Sequence, residues 1–242
     1  MPKKLRIATL SVGLLALMLV TPAHATGINE SVNIAAGSEA KGASTVNGSI
    51  TVGSGATVTG SVETVNGSIR VDTDAVIEDA ETVNGSIKIS SGVKAEDIDG
   101  VNGAIRIGKK VTITGEVSVV NGMIAIDSGS KIANDVSNVN GEISITGAEI
   151  GGDLSTVNGD VALNDGANLH GDLTIEKPGG FNWNDDDDDR MPRVTIGPGS
   201  KVGGNIIAER EVELYISDTA EIGGVSGVMS MDQAIRFSGK RP

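Results

Sequence analysis

Short stretches in which apolar and polar residues alternate recur along most of the chain. Each has an apolar residue, a polar or small residue and a second apolar residue, and it follows an Asn-Gly pair after one intervening residue. Alternation of this kind, with β-branched side chains, indicates a strand that buries one face. The clearest examples are Ile69-Arg70-Val71, Ile87-Lys88-Ile89, Ile105-Arg106-Ile107, Ile124-Ala125-Ile126 and Ile143-Ser144-Ile145.

A second pattern, apolar-x-Gly-x-apolar, follows later in many of the same units. Gly, Ser and Asp residues separate the two patterns and favour turns. No unit has room for a helix of ordinary length. Each unit is therefore predicted to hold two or three strands of about five residues. The second pattern begins at Val58, Ile113, Ile150, Leu169 and Val202.

The units form an internal repeat marked by the tripeptide Val-Asn-Gly. Its seven copies are 18 or 19 residues apart, and Ile28-Asn29 is a degenerate copy 18 residues before the first. A fixed period near 20 residues predicts a repeat architecture in which one unit cannot bury its apolar face alone. Eight coils are expected between Ile28 and Leu173. The full copies begin at Val46, Val65, Val83, Val101, Val120, Val139 and Val157.

Two folds fit the repeat. In a parallel β-solenoid each unit is one coil, whereas in an antiparallel meander each Asn-Gly is a two-residue hairpin turn that would pair, for example, Val62 with Val71. The identical corners favour the solenoid, because only stacked corners lie close enough for asparagines to hydrogen-bond along a column. We predict an all-β, single-stranded parallel β-solenoid with 18–20 residues per coil and about ten coils. The ladder would contain Asn29, Asn47, Asn66, Asn84, Asn102, Asn121, Asn140 and Asn158.

The same pattern predicts which side chains face the core. The valine of Val-Asn-Gly, the two apolar residues of the following strand and the apolar-x-Gly-x-apolar segment are expected to point inward. Asn is expected to adopt the left-handed conformation of a sharp corner, which Gly also accepts freely. The outward positions between the apolar residues vary, which is typical of a solvated face. They are Thr51, Arg70, Lys88, Arg106, Ala125 and Ser144.

Residues 1–25 have the pattern of a secretory signal peptide. Lys3, Lys4 and Arg6 precede an apolar run, Ile7–Val20, that is too short to span a bilayer comfortably. Ala23-His24-Ala25 is a small-x-small cleavage site. We therefore expect export to the periplasm, the cell surface or the medium, with an uncleaved anchor as the alternative.

The charge and composition of the chain limit the classes of partner that it is expected to bind. The net charge is −13 and would be −16 without the three cations of the leader, which argues against binding nucleic acid. The chain has no Cys, so disulfides cannot stabilise it. Aromatic residues make up 2 % of the chain, far fewer than a groove that stacks sugars usually displays.

The repeat is interrupted between residues 176 and 193. This acidic loop contains Phe181 and Trp183 and then five consecutive aspartates, a run that repels itself and does not fold alone. The solenoid, which occupies 26–175, is expected to continue over 194–225. The tail, 226–242, is expected either to cap the stack or to fray.

The acidic loop holds the candidate site residues. Asp185, Asp187 and Asp189 could bind Ca²⁺ through carboxylate oxygens, although the run lacks the alternating spacing and the Gly of a preformed calcium loop. A solvated charge run is the competing interpretation, and no other cofactor is expected. Phe181 and Trp183 form a candidate binding tip or pack against the solenoid.

Catalytic constellations are sparse. After the leader the only His is His170, and no Ser or Asp at a fixed spacing points to a triad. A surface histidine is the expected role. Four carboxylates, Asp72, Asp74, Glu78 and Asp79, could form a glycosidase pair, but an acidic surface produces such clusters by chance.

The Val-Asn-Gly-Ser-Ile and Val-Asn-Gly-Asp-Val repeats resemble a family of bacterial adhesin-like β-solenoid domains of unknown function, over about Ile28 to Leu173. The apolar-x-Gly-x-apolar segments are similar to those of bactofilins, which are polymer-forming cytoskeletal β-helices. These resemblances imply a right-handed coil and bring no catalytic residues. Bactofilins are mostly cytoplasmic or membrane-associated, and the leader departs from that.

Three functions follow as expectations. The first is an exported, non-enzymatic structural or adhesion module with a cell-surface or polysaccharide ligand. The second is a bactofilin-like scaffold that self-associates end to end. The third is a β-helix enzyme acting on polysaccharides. Light scattering against concentration separates the first two, and a glycan depolymerisation screen tests the third.

Overall fold

The computed structural model describes residues 25–178 and 190–242, and over these residues the chain is a parallel β-solenoid of eleven turns. Each strand pairs in parallel with the equivalent strands of neighbouring turns. The predicted fold class is confirmed. The hairpin alternative is wrong, because Val62 pairs with Ala43 and Ala80 rather than with Val71.

The coil has three faces, and the strands of the first face lead into the Asn-Gly corner. Strands are numbered in chain order. The first face contains β1 (Ala25–Gly27), β4 (Ala43–Thr45), β7 (Val62–Asn66), β9 (Ala80–Asn84), β12 (Ile98–Asn102), β15 (Val117–Asn121), β18 (Val136–Asn140), β21 (Leu154–Thr156) and β24 (Leu173–Ile175).

The second face follows the Asn-Gly corner and has one strand in every turn. Its eleven strands are β2 (Val32–Ile34), β5 (Ile50–Val52), β8 (Ile69–Val71), β10 (Ile87–Ile89), β13 (Ile105–Ile107), β16 (Ile124–Ile126), β19 (Ile143–Thr146), β22 (Val161–Asn164), β25 (Arg193–Ile196), β27 (Glu213–Ser217) and β29 (Ile235–Phe237).

The third face has the shortest strands, and in the third turn Val76 alone bridges the turns on either side. Near the C-terminal end, β26 (Lys201–Ala208) and β28 (Glu221–Gly227) run from the third face onto the first, with a register shift between Val202 and Asn205. The remaining strands of this face are β3 (Glu39–Ala40), β6 (Thr57–Val58), β11 (Lys94–Ala95), β14 (Thr112–Ile113), β17 (Lys131–Ile132), β20 (Glu149–Ile150) and β23 (Asn168–Leu169).

One continuous aliphatic core fills the coil. The two apolar residues of each second-face strand are buried as predicted, for example Ile69 and Val71. The prediction for the valine of Val-Asn-Gly is wrong in six of the seven copies, which are only partly buried; Val157 is the buried exception. The reason is that side chains alternate between the two sides of a strand. In β7, Val62 and Thr64 point into the coil, so Val65 points outward. The inward column is Thr45, Thr64, Thr82, Gly100, Val119, Asn138 and Thr156.

The corners also differ from expectation. No asparagine of the ladder has a positive φ, although Gly103 and Gly141 of the same corner do. The non-glycine residues with a positive φ lie at the corner between the second and third faces, for example Asp74 with φ 58° and Lys110 with φ 56°. In the Asn-Gly pair the glycine is needed for another reason. A Cβ on Gly85 would lie 1.9 Å from the carbonyl oxygen of Gly67 one turn below. Close stacking of backbones therefore selects glycine at this corner.

The residues after Ser226 continue the solenoid. They complete β28, form a 3₁₀-helix at Met231–Gln233 and add β29, the eleventh strand of the second face. Met229 joins the core cluster, and Phe237 is 9 % exposed. Within the described ranges, no helix has the length and apolar character that crossing a membrane requires.

Candidate functional site

The corner between the first and second faces carries a continuous column of asparagine side chains. Each Nδ2 amide donates to the Oδ1 of the asparagine one turn below, from the Asn47–Asn29 pair to the Asn158–Asn140 pair. The seven N···O distances lie between 2.7 and 3.1 Å. At the far end Arg210 Nη1 donates to Asn158 Oδ1 at 2.8 Å. All eight ladder residues thus belong to one column that ends on a cation.

Inward threonines hold the carbonyl groups of this corner. Thr64 Oγ1 donates to the carbonyl oxygen of Gly48 at 2.9 Å, and Thr82 Oγ1 donates to that of Gly67 at 3.0 Å. These hydroxyls would otherwise be buried without a partner, which is costly. Sequence reasoning missed this role. The available signal was a threonine directly before Val-Asn-Gly in four of the seven copies.

The amide column faces water, because seven of its eight asparagines are exposed and Asn140 is partly exposed. Each ladder amide keeps one further N–H and one further lone pair for an external partner. The hydroxyls of Ser49, Ser68 and Ser86 lie in a neighbouring column, where each accepts a backbone N–H from the next turn. The corner therefore presents uncharged donors and acceptors repeated at the strand spacing.

A column of carboxylates lies on the first face in three successive turns. Glu63 is in register with Glu81, and Glu81 with Asp99, so like charges are stacked one strand apart. We call these three residues the acidic column. Burial, reinforced by the neighbouring carboxylates, raises the pKa of Glu81 to about 7. Burial also raises the pKa of Asp99 to about 6, although the Ser118 hydroxyl donates to its carboxylate and opposes the shift.

The second face carries cations in the same three turns. Arg70 is in register with Lys88, and Lys88 with Arg106, and all three side chains are exposed. We call them the basic column. Arg70 pairs with Asp72 at 2.8 Å, and Arg106 Nη2 contacts the Met123 sulfur at 3.7 Å. Among the described residues no ion pair joins the acidic and basic columns, because they point away from different faces.

A second ladder, not foreseen from the sequence, lies at the corner between the third and first faces. Aspartate side chains here accept the backbone N–H of the equivalent residue one turn above, as in Asp153 N to Asp135 Oδ1 at 2.8 Å and Asp172 N to Asp153 Oδ1 at 2.9 Å. For Asp153 and Asp172 the available signal was a Gly-Asp pair inside the apolar-x-Gly-x-apolar pattern. Asp79 belongs to this ladder, and burial raises its pKa.

The structure places the proposed glycosidase carboxylates at two different corners. Asp72 and Asp74 follow β8, whereas Glu78 and Asp79 precede β9 on the other side of Val76. Asp72 is engaged by Arg70, and Asp79 accepts the backbone N–H of Asp97 at 3.3 Å. These contacts give two of the four carboxylates structural partners.

His170 lies on the outer surface beside the third face. Its Nε2 is 2.9 Å from Glu149 Oε1, and Lys131 Nζ is 2.9 Å from Glu149 Oε2. The hydrogen bond from Lys131, followed by that from His170, lowers the pKa of Glu149. The histidine is thus part of an exposed ion-pair cluster that connects neighbouring turns.

The remaining predicted site residues lie outside the described residues. These are Asp185, Asp187 and Asp189, the candidate calcium ligands, and Phe181 and Trp183, the candidate tip. In residues 25–178 and 190–242, no three His, Asp or Glu side chains are arranged to hold a metal ion.

No family model, curated protein or solved structure matches this chain.

Proposed function

We propose that this protein is an exported, non-enzymatic β-solenoid that serves the cell envelope as a structural or adhesion-like element. The observation that carries the proposal is the parallel register of the stack. Equivalent residues recur from turn to turn, from Ala25 paired with Ala43 to Leu163 paired with Ile196. A stack of this kind is a rigid support whose outward side chains can vary without altering the core.

Export is supported by the basic, apolar and small-residue pattern of residues 1–25. The test is N-terminal sequencing of the protein recovered from the cell envelope. We expect the mature chain to begin at Thr26. A chain that begins at Met1 or Pro2 would contradict cleavage and export by this route.

For an adhesion-like role the ligand we propose is a polysaccharide or another hydroxyl-rich cell-surface component. The ladder amides and the adjacent serine hydroxyls offer the uncharged donors and acceptors that sugar hydroxyls can pair with. The acidic net charge of −13 disfavours a nucleic-acid partner.

Substitution of the candidate tip residues tests whether adhesion occurs through them. Replacing Phe181 and Trp183 by Ser should reduce attachment of cells to a surface without changing the melting temperature. Val228→Ser is the control, since Val228 is an apolar residue outside the acidic loop and is 56 % exposed. Equal attachment of both variants and the wild type would remove the tip from the proposal.

A self-assembling scaffold is the second candidate, and the terminal strands favour it. In the described residues β1, β2 and β3 each pair on one side only, with β4, β5 and β6. Unpaired strand edges are templates for association. Strand pairing end to end uses backbone hydrogen bonds, so light scattering that still rises with concentration at about 1 M salt, where the screening length is about 3 Å, would support the scaffold. A constant monomer mass under these conditions would support the isolated rod.

A further inference from the structure

The acidic and basic columns match each other in position as well as in charge. Within each of the three turns the acidic residue precedes the basic residue by seven positions: Glu63 and Arg70, Glu81 and Lys88, Asp99 and Arg106. The spacing between successive residues is the same in both columns, because both columns lie on strands of the same turns.

Both columns also end at the same heights. One turn below them, the equivalent positions are Ser44 on the first face and Thr51 on the second. One turn above them, the positions are Ser118 and Ala125. Each charged column is therefore three turns long and bounded by uncharged residues on both sides.

From this match we propose that a second copy of this chain docks its basic column onto the acidic column of the first, side by side with the solenoid axes aligned. The pitch of the two columns agrees without adjustment, since one repeat sets both. With the axes parallel or antiparallel, Lys88 of one copy faces Glu81 of the other, and the outer cations face the outer carboxylates.

Electrostatics within one molecule favour this partner over solvent. The three stacked carboxylates repel one another, and burial together with that repulsion raises the pKa of Glu81 to about 7. A facing row of cations relieves both the acidic and the basic repulsion. An acidic polymer would pair with the basic column alone and would leave the acidic column without a partner.

The geometry also sets the type of assembly. Each molecule offers two different surfaces, so the contact is heterologous and leaves one surface free at each end of a pair. Association should therefore proceed beyond the dimer. Three ion pairs at the molecular surface form a weak contact, so the association should be visible at high protein concentration and low salt.

The experiment is sedimentation velocity of the full chain over a range of concentrations at low ionic strength. We expect the mean mass of the wild type to rise past that of a dimer. Raising the salt from about 0.01 M to about 0.15 M shortens the screening length from about 30 Å to about 8 Å, and the dissociation constant should rise about tenfold. This arm needs no variant and does not depend on how a substitution folds.

Two variants make the test specific. One neutralises the acidic column by Glu63→Gln, Glu81→Gln and Asp99→Asn. The other neutralises the basic column by Arg70→Gln, Lys88→Gln and Arg106→Gln. Each alone should stay monomeric, whereas an equimolar mixture should form a pair and nothing larger, because each variant keeps only one surface.

A control with the same loss of positive charge replaces Lys41, Lys94 and Lys109 by Gln, which are exposed cations away from the basic column. It should assemble like the wild type. A wild type that remains monomeric at low salt, or a mixture that does not pair, overturns the proposal. Binding of a polyuronate through the basic column by a monomeric wild type would assign that column to an acidic polymer instead.

Discussion

Replacing Gly85 by Ala should test the close stacking of the Asn-Gly corner. The added Cβ would lie 1.9 Å from the Gly67 carbonyl oxygen, whereas ordinary van der Waals contact begins at about 3.5 Å. Gly85 has no positive φ, so the substitution adds no left-handed strain. The two backbones must separate by more than 1 Å, because the obstacle is a main-chain atom rather than a flexible side chain.

That separation breaks two hydrogen bonds at the corner, and water can replace only the exposed one between the asparagines. The Gly67 carbonyl oxygen accepts from Thr82 Oγ1 at 3.0 Å, and Asn84 Nδ2 donates to Asn66 Oδ1 at 2.9 Å. Each lost bond costs about 0.5–1.5 kcal/mol, and overpacking costs a further 1–3 kcal/mol or so. We expect Gly85→Ala to lower the free energy of unfolding by about 2–6 kcal/mol in urea melts.

Gly100→Ala is the matched control. Gly100 belongs to the inward column, and the three atoms nearest to its Cβ would be side-chain atoms of Val119 and Ile105, the closest at 3.2 Å. Loss of backbone entropy in the unfolded chain offsets the mild crowding, so the change should stay within about 1 kcal/mol of zero. If both variants lose the same stability, stacking at the corner is not what selects glycine there.

Three further changes test other parts of the structure. Asn102→Ala removes two ladder bonds and Asn29→Ala only one; because the ladder is exposed and water can replace each bond, the losses in denaturant melts should be about 1–2 and below about 1 kcal/mol, and equal losses would contradict a coupled column. Glu81 has a raised folded-state pKa of about 7 against the usual 4.5, so the native state holds this proton more tightly and stability falls as pH rises between these values. Glu81→Gln should therefore flatten that dependence and, after allowance for solvent screening, stabilise the protein at pH 8 by about 1–2 kcal/mol; melts that show the same difference at pH 4 and pH 8 would refute this. Lys110 has φ 56°, and Lys110→Gly should raise the unfolding free energy by about 0.5–1 kcal/mol, since glycine adopts this conformation without strain; a loss in thermal or urea melts would show that the lysine side chain does more than tolerate the turn.

The sequence was sufficient for the fold class, the parallel stacking and the position of the asparagine column. Alternation in segments such as Ile69–Val71 indicates a half-buried strand, and a fixed 18- or 19-residue interval has no simple explanation in a meander. The inward threonines were missed because Val65 is more apolar than Thr64, so hydrophobicity alone favours Val65 as the buried residue. The alternation that starts at buried Val62 instead places Thr64 inward.

The other features depend on register between turns, which a linear reading does not display. The left-handed corner is occupied by Gly, Asp or Lys in different turns, so no single residue type marks it. Glu81 and Lys88 each look like ordinary solvated positions along their own strands. Only pairing of the strands shows that they are the centres of two columns of like charge.

Because the turns stack in parallel at a constant spacing, the length of the solenoid is set by the number of turns. Eleven turns at about 4.8 Å each give a length of roughly 50 Å. Duplication or loss of one 18- or 19-residue copy would move whatever the far end carries by one such increment, while the cross-section and the core stay as they are. Genetic change in repeat number can therefore adjust distance without requiring a new fold.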